Sequence, residues 1–125
     1  MMHLLLVCAG GAIGAGLRHL ANMVLLRWFG PGFPWGTMAV NVSGSLVMGF
    51  FAALLARKLG ASTEWRLFFA TGILGGYTTF SAFSLETVNL WLDGREMAAA
   101  AYVAVSVIFG LLALCAGLWF GRSLL

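Results

Sequence analysis

Charge is the scarcest commodity in this sequence: lysine, arginine, aspartate and glutamate together make up 9% of its 125 residues. A water-soluble domain carries roughly 25%. So sparse a set cannot clothe a solvent-facing surface, and lipid is the expected solvent. The basic residues are scattered, without a dense Lys/Arg run, which excludes a nucleic-acid surface. Cysteine is limited to Cys8 and Cys115, both in apolar stretches; with no CxxC and no His/Cys cluster, a zinc or redox site is not expected. HExxH, paired carboxylates and a Ser/His pair at usable spacing are all missing, so an intramembrane enzyme is not expected either. No long internal repeat is visible. The N-terminus has no basic leader, and no small-residue cleavage site clearly ends the apolar run after His3, so it reads as a retained helix rather than a signal peptide.

What the sequence has in quantity is long apolar runs. A membrane crossing needs about 20 mostly apolar residues. Four such stretches can be drawn, at about 4–28, 35–56, 67–92 and 97–120, which predicts an all-α membrane protein with a single four-helix domain over 1–125. The Gly30-Pro31-Gly32-Phe33-Pro34 run separates the first two, Arg57-Lys58 ends the second, and Asp93-Gly94-Arg95-Glu96 joins the last two. Trp28, Trp35, Trp65, Trp91 and Trp119 fall near span ends, where aromatic belts form. Four crossings put both termini and the second loop on one side, with Arg57, Lys58, Arg66 and Arg122, against Arg27 and Arg95 on the other. The positive-inside rule then favours cytoplasmic termini by only two charges, a bias small enough for insertion in both orientations. Two copies inserted in opposite directions would recreate the inverted architecture of larger transporters.

Polar residues inside these spans are expensive in lipid and are functional candidates by default. In the first span Gly10, Gly14, Arg18 and Asn22 recur every four residues and share one face; the glycines suit close packing, and Arg18 is either a paired or snorkelling cation or one that draws an anion toward a path. In the second, Thr37, Asn41 and Ser45 make a polar stripe, and the Asn41 amide could donate to a partly dehydrated anion or pair helices. In the third, Gly75-Gly76 before Thr78-Thr79 is poor helix sequence, since glycine costs about 1 kcal/mol against alanine. A break is expected near Gly75-Gly76, freeing carbonyls for a cation. Beyond it Phe80, Phe83 and Thr87 form a stripe that is either core or, through its ring edges, a wall for a small anion; Ser81 could add a hydroxyl donor. Glu86 is the only carboxylate inside a span, placed to pair with Arg18 or a hydroxyl, or to carry protons. Tyr102 and Ser106 give the fourth span one hydroxyl face. These patterns point to movement of a solute across a membrane.

Three segments then carry a resemblance: Gly14 to Arg18, the run Gly36-Thr37-Met38-Ala39-Val40-Asn41-Val42-Ser43-Gly44-Ser45, and the run from Gly75 to Glu86. Over essentially its whole length the chain resembles the CrcB/Fluc fluoride channels of bacteria. The resemblance implies an antiparallel, dual-topology homodimer in the bacterial cytoplasmic (inner) membrane, with two fluoride pores and one central sodium ion. By position it implies that Asn41, Phe80, Phe83 and Ser81 line the pore, with Thr37 on the same stripe. Arg18 matches the family's first-span arginine, and Tyr102 and Ser106 look like its fourth-span polar track. Gly75 and Thr78 match the residues whose backbone carbonyls hold the sodium. Ala82 stands where the family often has threonine. The expected function is passive fluoride export. The alternative is a small proton-coupled multidrug-type exporter, but such proteins carry a carboxylate in the first span where this chain has Arg18. A non-transporting scaffold would leave the chemistry of Asn41 and Gly75 to Glu86 without a use.

Overall fold

A computed structural model describes residues 1–57 and 62–124 and is helical throughout, with no β-strand among the described residues. Helix α1 runs Met2–Phe29 and ends at Gly30, whose φ of 76° turns the chain as only glycine does cheaply. Helix α2 runs Trp35–Arg57. A single turn, α3 (Thr63–Trp65), leads into a π-helix, Arg66–Leu74, and a short α4, Gly75–Tyr77. After a break come α5 (Phe80–Leu92) and α6 (Glu96–Leu124). Lys58, one of the charges used for orientation, lies outside the described residues.

Helices α1, α2 and α6 are each long and apolar enough to cross a membrane. The expected third crossing is two shorter pieces. Its break also falls later than expected. Gly75 and Gly76 stay helical, with Gly75 at φ −64°, ψ −36°, whereas Thr78 and Thr79 are extended at φ −86°, ψ 158° and φ −153°, ψ 120°. The reason is packing. A Cβ on Gly76 would sit 2.7 Å from the Gly11 carbonyl oxygen, so this glycine serves the contact with α1. The β-branched threonines prefer extended backbone and take the bend.

Two helix pairs build the molecule. The α2–α6 pair meets at glycines: a Cβ on Gly49 would lie 2.9 Å from the Leu118 nitrogen, and one on Gly117 2.8 Å from the Phe50 nitrogen. The second pair sets α1 against the π-helix and α4, with Gly10 and Gly14 buried at the seam. This is the small-residue packing expected of Gly10-x-x-x-Gly14. His3 lies 3.9 Å from Glu64, which places the N-terminus beside the start of the third segment, and Arg95 donates to the Gly32 carbonyl at the opposite end. Val40 and Tyr102 are fully buried, and a small cluster of Leu90, Ala99 and Tyr102 packs with Phe33, Met38, Phe83 and Ala98. Most large apolar side chains face outward, Leu111 and Trp119 among them. Burial within one chain therefore accounts for little of the apolar surface, as expected where lipid or another copy covers it.

Candidate functional site

The break is held open by one side chain. Asn41, on the face of α2 that carries Thr37 and Ser45, brackets the Thr79 backbone: its Nδ2 donates to the Thr79 carbonyl at 3.0 Å, and its Oδ1 accepts from the Thr79 N–H at 2.7 Å. The sequence left the Asn41 amide open between anion donor and interhelical bond. One N–H and the carbonyl are spent on the bracket, and the second N–H remains to offer. Thr79 in turn caps α5, its Oγ1 accepting from the Ala82 N–H at 3.1 Å and lying 3.5 Å from the Ser81 hydroxyl. Thr79 is expected from the sequence only as part of the weak helix stretch, although a threonine directly before an apolar helical run is also a cap signal.

These bonds redirect two donors. In an unbroken helix the Thr79 N–H would serve the Gly75 carbonyl and the Ala82 N–H the Thr78 carbonyl. Both now point elsewhere, to Asn41 and to the Thr79 hydroxyl. The Gly75 and Thr78 oxygens thereby lose their regular partners. Neutral, hard carbonyl oxygens at an unwound helix suit an alkali cation, so these residues fit the sodium that the resemblance implies. No cluster of three His, Cys, Asp or Glu residues exists among the described residues to hold another metal.

A second polar centre lies one turn along α2. Thr37 Oγ1 donates to Glu86 Oε1 at 2.7 Å, and the Tyr102 hydroxyl reaches Glu86 Oε2 at 3.4 Å. Of the partners open to Glu86, hydroxyls are the ones it takes. Arg18 is half-buried on α1, in no ion pair among the described residues and on the wall of neither cavity described below. The Tyr102 ring packs on Phe83 with centroids 5.1 Å apart, and Phe83 lies 5.9 Å from Phe80. Phe80 is 79% exposed and Ser81 is also exposed, so this part of the wall is open in a single chain. The Ser106 hydroxyl is buried one turn beyond Tyr102 and has no partner among the described residues.

Two cavities follow this geometry. One, of about 390 Å³, has Thr37 and Glu86 on its wall together with Asn22, Asn89 and Arg95. The other, of about 260 Å³, lies at the break, against Asn41, Ser45, Thr78, Thr79 and Phe80. Of the predicted residues, Thr37 borders the first cavity and Asn41, Thr78 and Phe80 border the second, whereas Phe83 and the fully buried Tyr102 pack on each other and line neither; Gly75 lies beside the break, and Arg18 joins neither group. Asn22 and Phe33 were not among the predicted site residues. Their approach to the wall depends on contacts between distant parts of the chain.

At the break the second Asn41 N–H and the exposed Ser81 hydroxyl are neutral donors of a kind that suits a small anion. A family model described as "CrcB-like protein, Camphor Resistance (CrcB)" matches residues 5–118. A protein of Mesorhizobium japonicum is 58% identical over 124 residues, 99% of each chain, and one of Chelativorans is 57% identical over 125 residues, the whole of both. One of Rhizobium meliloti is 51% identical over 124 residues, again 99% of each. All three bear the name fluoride-specific ion channel FluC. With matches that run nearly end to end, the chain belongs to the CrcB family.

Proposed function

We infer that this chain is a fluoride-selective channel, a multi-pass protein of the bacterial inner membrane that lets cytoplasmic fluoride leave passively. The observation that carries the reading is the neutral donor set at the break, the second Asn41 N–H and the Ser81 hydroxyl beside two phenyl rings, in a chain whose near-full-length relatives are named fluoride-specific channels. Fluoride holds its water tightly, so a pore must replace those hydrogen bonds with donors. It must also release the ion, which neutral donors and ring edges do more readily than a lysine would. The multidrug-type alternative gains no support, since the first span offers Arg18 and no carboxylate. Purified protein in liposomes loaded with fluoride is expected to release it, as read by a fluoride electrode, with chloride released far more slowly. Equal rates for the two ions, or a strict need for a proton gradient, would sink the channel reading.

The proposal extends to assembly. The third segment crosses as the π-helix, α4 and α5 together, giving four crossings in one domain. Two copies pair in antiparallel fashion. Phe80 is 79% exposed, and the Ser43–Tyr77 hydroxyl pair, 3.0 Å apart, also opens outward at the depth of the break. In lipid the exposed hydroxyls are costly although the phenyl ring is not, and a second copy would cover both. A two-fold axis through the break would bring the Gly75 and Thr78 carbonyls of both copies around one sodium ion, and would complete two pores. A high-resolution map in sodium is expected to have two oppositely oriented copies with a cation on the axis; parallel copies, or water alone at the centre, would overturn this part.

A further inference from the structure

The loop between α1 and α2 reaches the polar centre from outside. Gly30 turns the chain, and the Phe33 carbonyl accepts from the Trp35 N–H at 2.8 Å, so the segment is a tight strap. Its phenyl ring meets the Tyr102 ring edge-on, centroids 5.4 Å apart at 85°, while Phe83 packs 5.1 Å away against the same ring. Tyr102 is fully buried between them, its hydroxyl directed at Glu86. The strap is anchored from across the chain. Arg95 donates to the carbonyl of Gly32, next to Phe33, and its own backbone is fixed by bonds to Leu90 and Ala99 of 2.9 and 3.0 Å. Gly32, Phe33 and Arg95 all border the larger cavity that opens onto Glu86.

We propose that Phe33 is a positioning residue for ion passage: held by the Arg95 anchor, its ring keeps the Tyr102 hydroxyl on the Thr37–Glu86 pair at the end of the larger cavity. The flux part of this proposal rests on the channel reading; the positioning part does not. An aromatic edge restrains a ring's tilt, and a small tilt of Tyr102 carries its hydroxyl beyond the 3.4 Å at which it meets Glu86.

The chain has two tyrosines, Tyr77 and Tyr102. Protein labelled with 3-fluorotyrosine therefore gives two fluorine resonances, and Tyr102→Phe identifies one of them. Phe33→Ala is expected to move the Tyr102 resonance, leave that of Tyr77 in place and lower fluoride efflux roughly three- to tenfold, the range an edge-to-face pair supports. Phe33→Tyr restores both readouts. Arg95→Gln, which leaves the core untouched, moves both in the same direction by less and serves if Phe33→Ala does not fold. A Tyr102 resonance indifferent to Phe33→Ala and Arg95→Gln overturns the proposal. So does a flux loss as large in Phe33→Tyr as in Phe33→Ala, or a moved resonance with undiminished flux. Wild-type protein that passes no fluoride would defeat the channel reading instead, and the resonances would still decide whether Phe33 positions Tyr102.

Discussion

Asn41→Asp is expected to lower fluoride flux about a hundredfold or more, and the Thr79 bracket explains why. Asparagine offers a donor at one end and an acceptor at the other, and both are used on the backbone of one residue, Thr79, at 3.0 and 2.7 Å. Aspartate keeps the acceptor for the Thr79 N–H. Its other oxygen then faces the Thr79 carbonyl where a donor had stood, so two acceptors confront each other. Leaving a buried polar group unsatisfied costs about 1–3 kcal/mol, and about 2.8 kcal/mol is a hundredfold. The new charge also lies against the cavity at the break, where an anion would pass. Asn41→Ala removes both bonds without adding charge and is expected to cost flux less than the aspartate does. Efflux from liposomes, with variants checked for wild-type elution in detergent, separates these effects. Normal flux through Asn41→Asp would show that the bracket and the pore wall are wrongly assigned.

Gly14→Ala is expected to cost about 3 kcal/mol of stability, at the upper end of ordinary overpacking. A Cβ there would press on the Ile73 carbonyl and lie 2.8 Å from the Tyr77 nitrogen. Both are backbone atoms, so no rotamer change relieves the clash, and α1 would have to lift off the third segment. Because the bracketed break hangs from that segment, ion passage is expected to fall with it. Gly16→Ala provides the contrast on the same helix. Nothing lies within 4 Å of its Cβ position, and alanine is the better helix former by about 1 kcal/mol. Thermal unfolding in detergent should place the Gly14 variant well below wild type and the Gly16 variant level with it or above. Equal midpoints for the two would contradict the close helix contact.

Both predictions turn on residues that the sequence already marked, yet for reasons it could not supply. The Gly10-x-x-x-Gly14 spacing announced a packing face, because small residues at helical spacing are a local pattern. That the opposing surface is the π-helix and α4 is a property of the assembled helices. The polar stripe of Thr37, Asn41 and Ser45 was equally legible. What each residue touches was not: Asn41 meets Thr79 across 38 positions, and Thr37 meets Glu86 across 49. Glu86 offered two pairings on paper, with Arg18 or with a hydroxyl, and side-chain chemistry alone favours the charge. The hydroxyls prevail because α2 and α6 bring Thr37 and Tyr102 within reach.

The break illustrates the same division at a single point. Glycine and threonine in an apolar run predict that a helix will fail somewhere in Gly75 to Thr79, since propensity is summed over neighbours. Propensity differences of about 1 kcal/mol are too small to choose the residue. Contact with α1 keeps Gly76 helical, and Asn41 captures the Thr79 N–H and carbonyl, so the bend moves to the threonines. The sequence by itself thus determined the solvent, the three long apolar helices, the polar stripe and the family, because apolar run length, helical spacing and a contiguous motif are written along the chain. The tertiary structure alone decided at which residues the third segment opens, what Glu86 pairs with and how Phe33 comes to rest on Tyr102. Those outcomes depend on distances between residues far apart in sequence, which are set only when the helices pack.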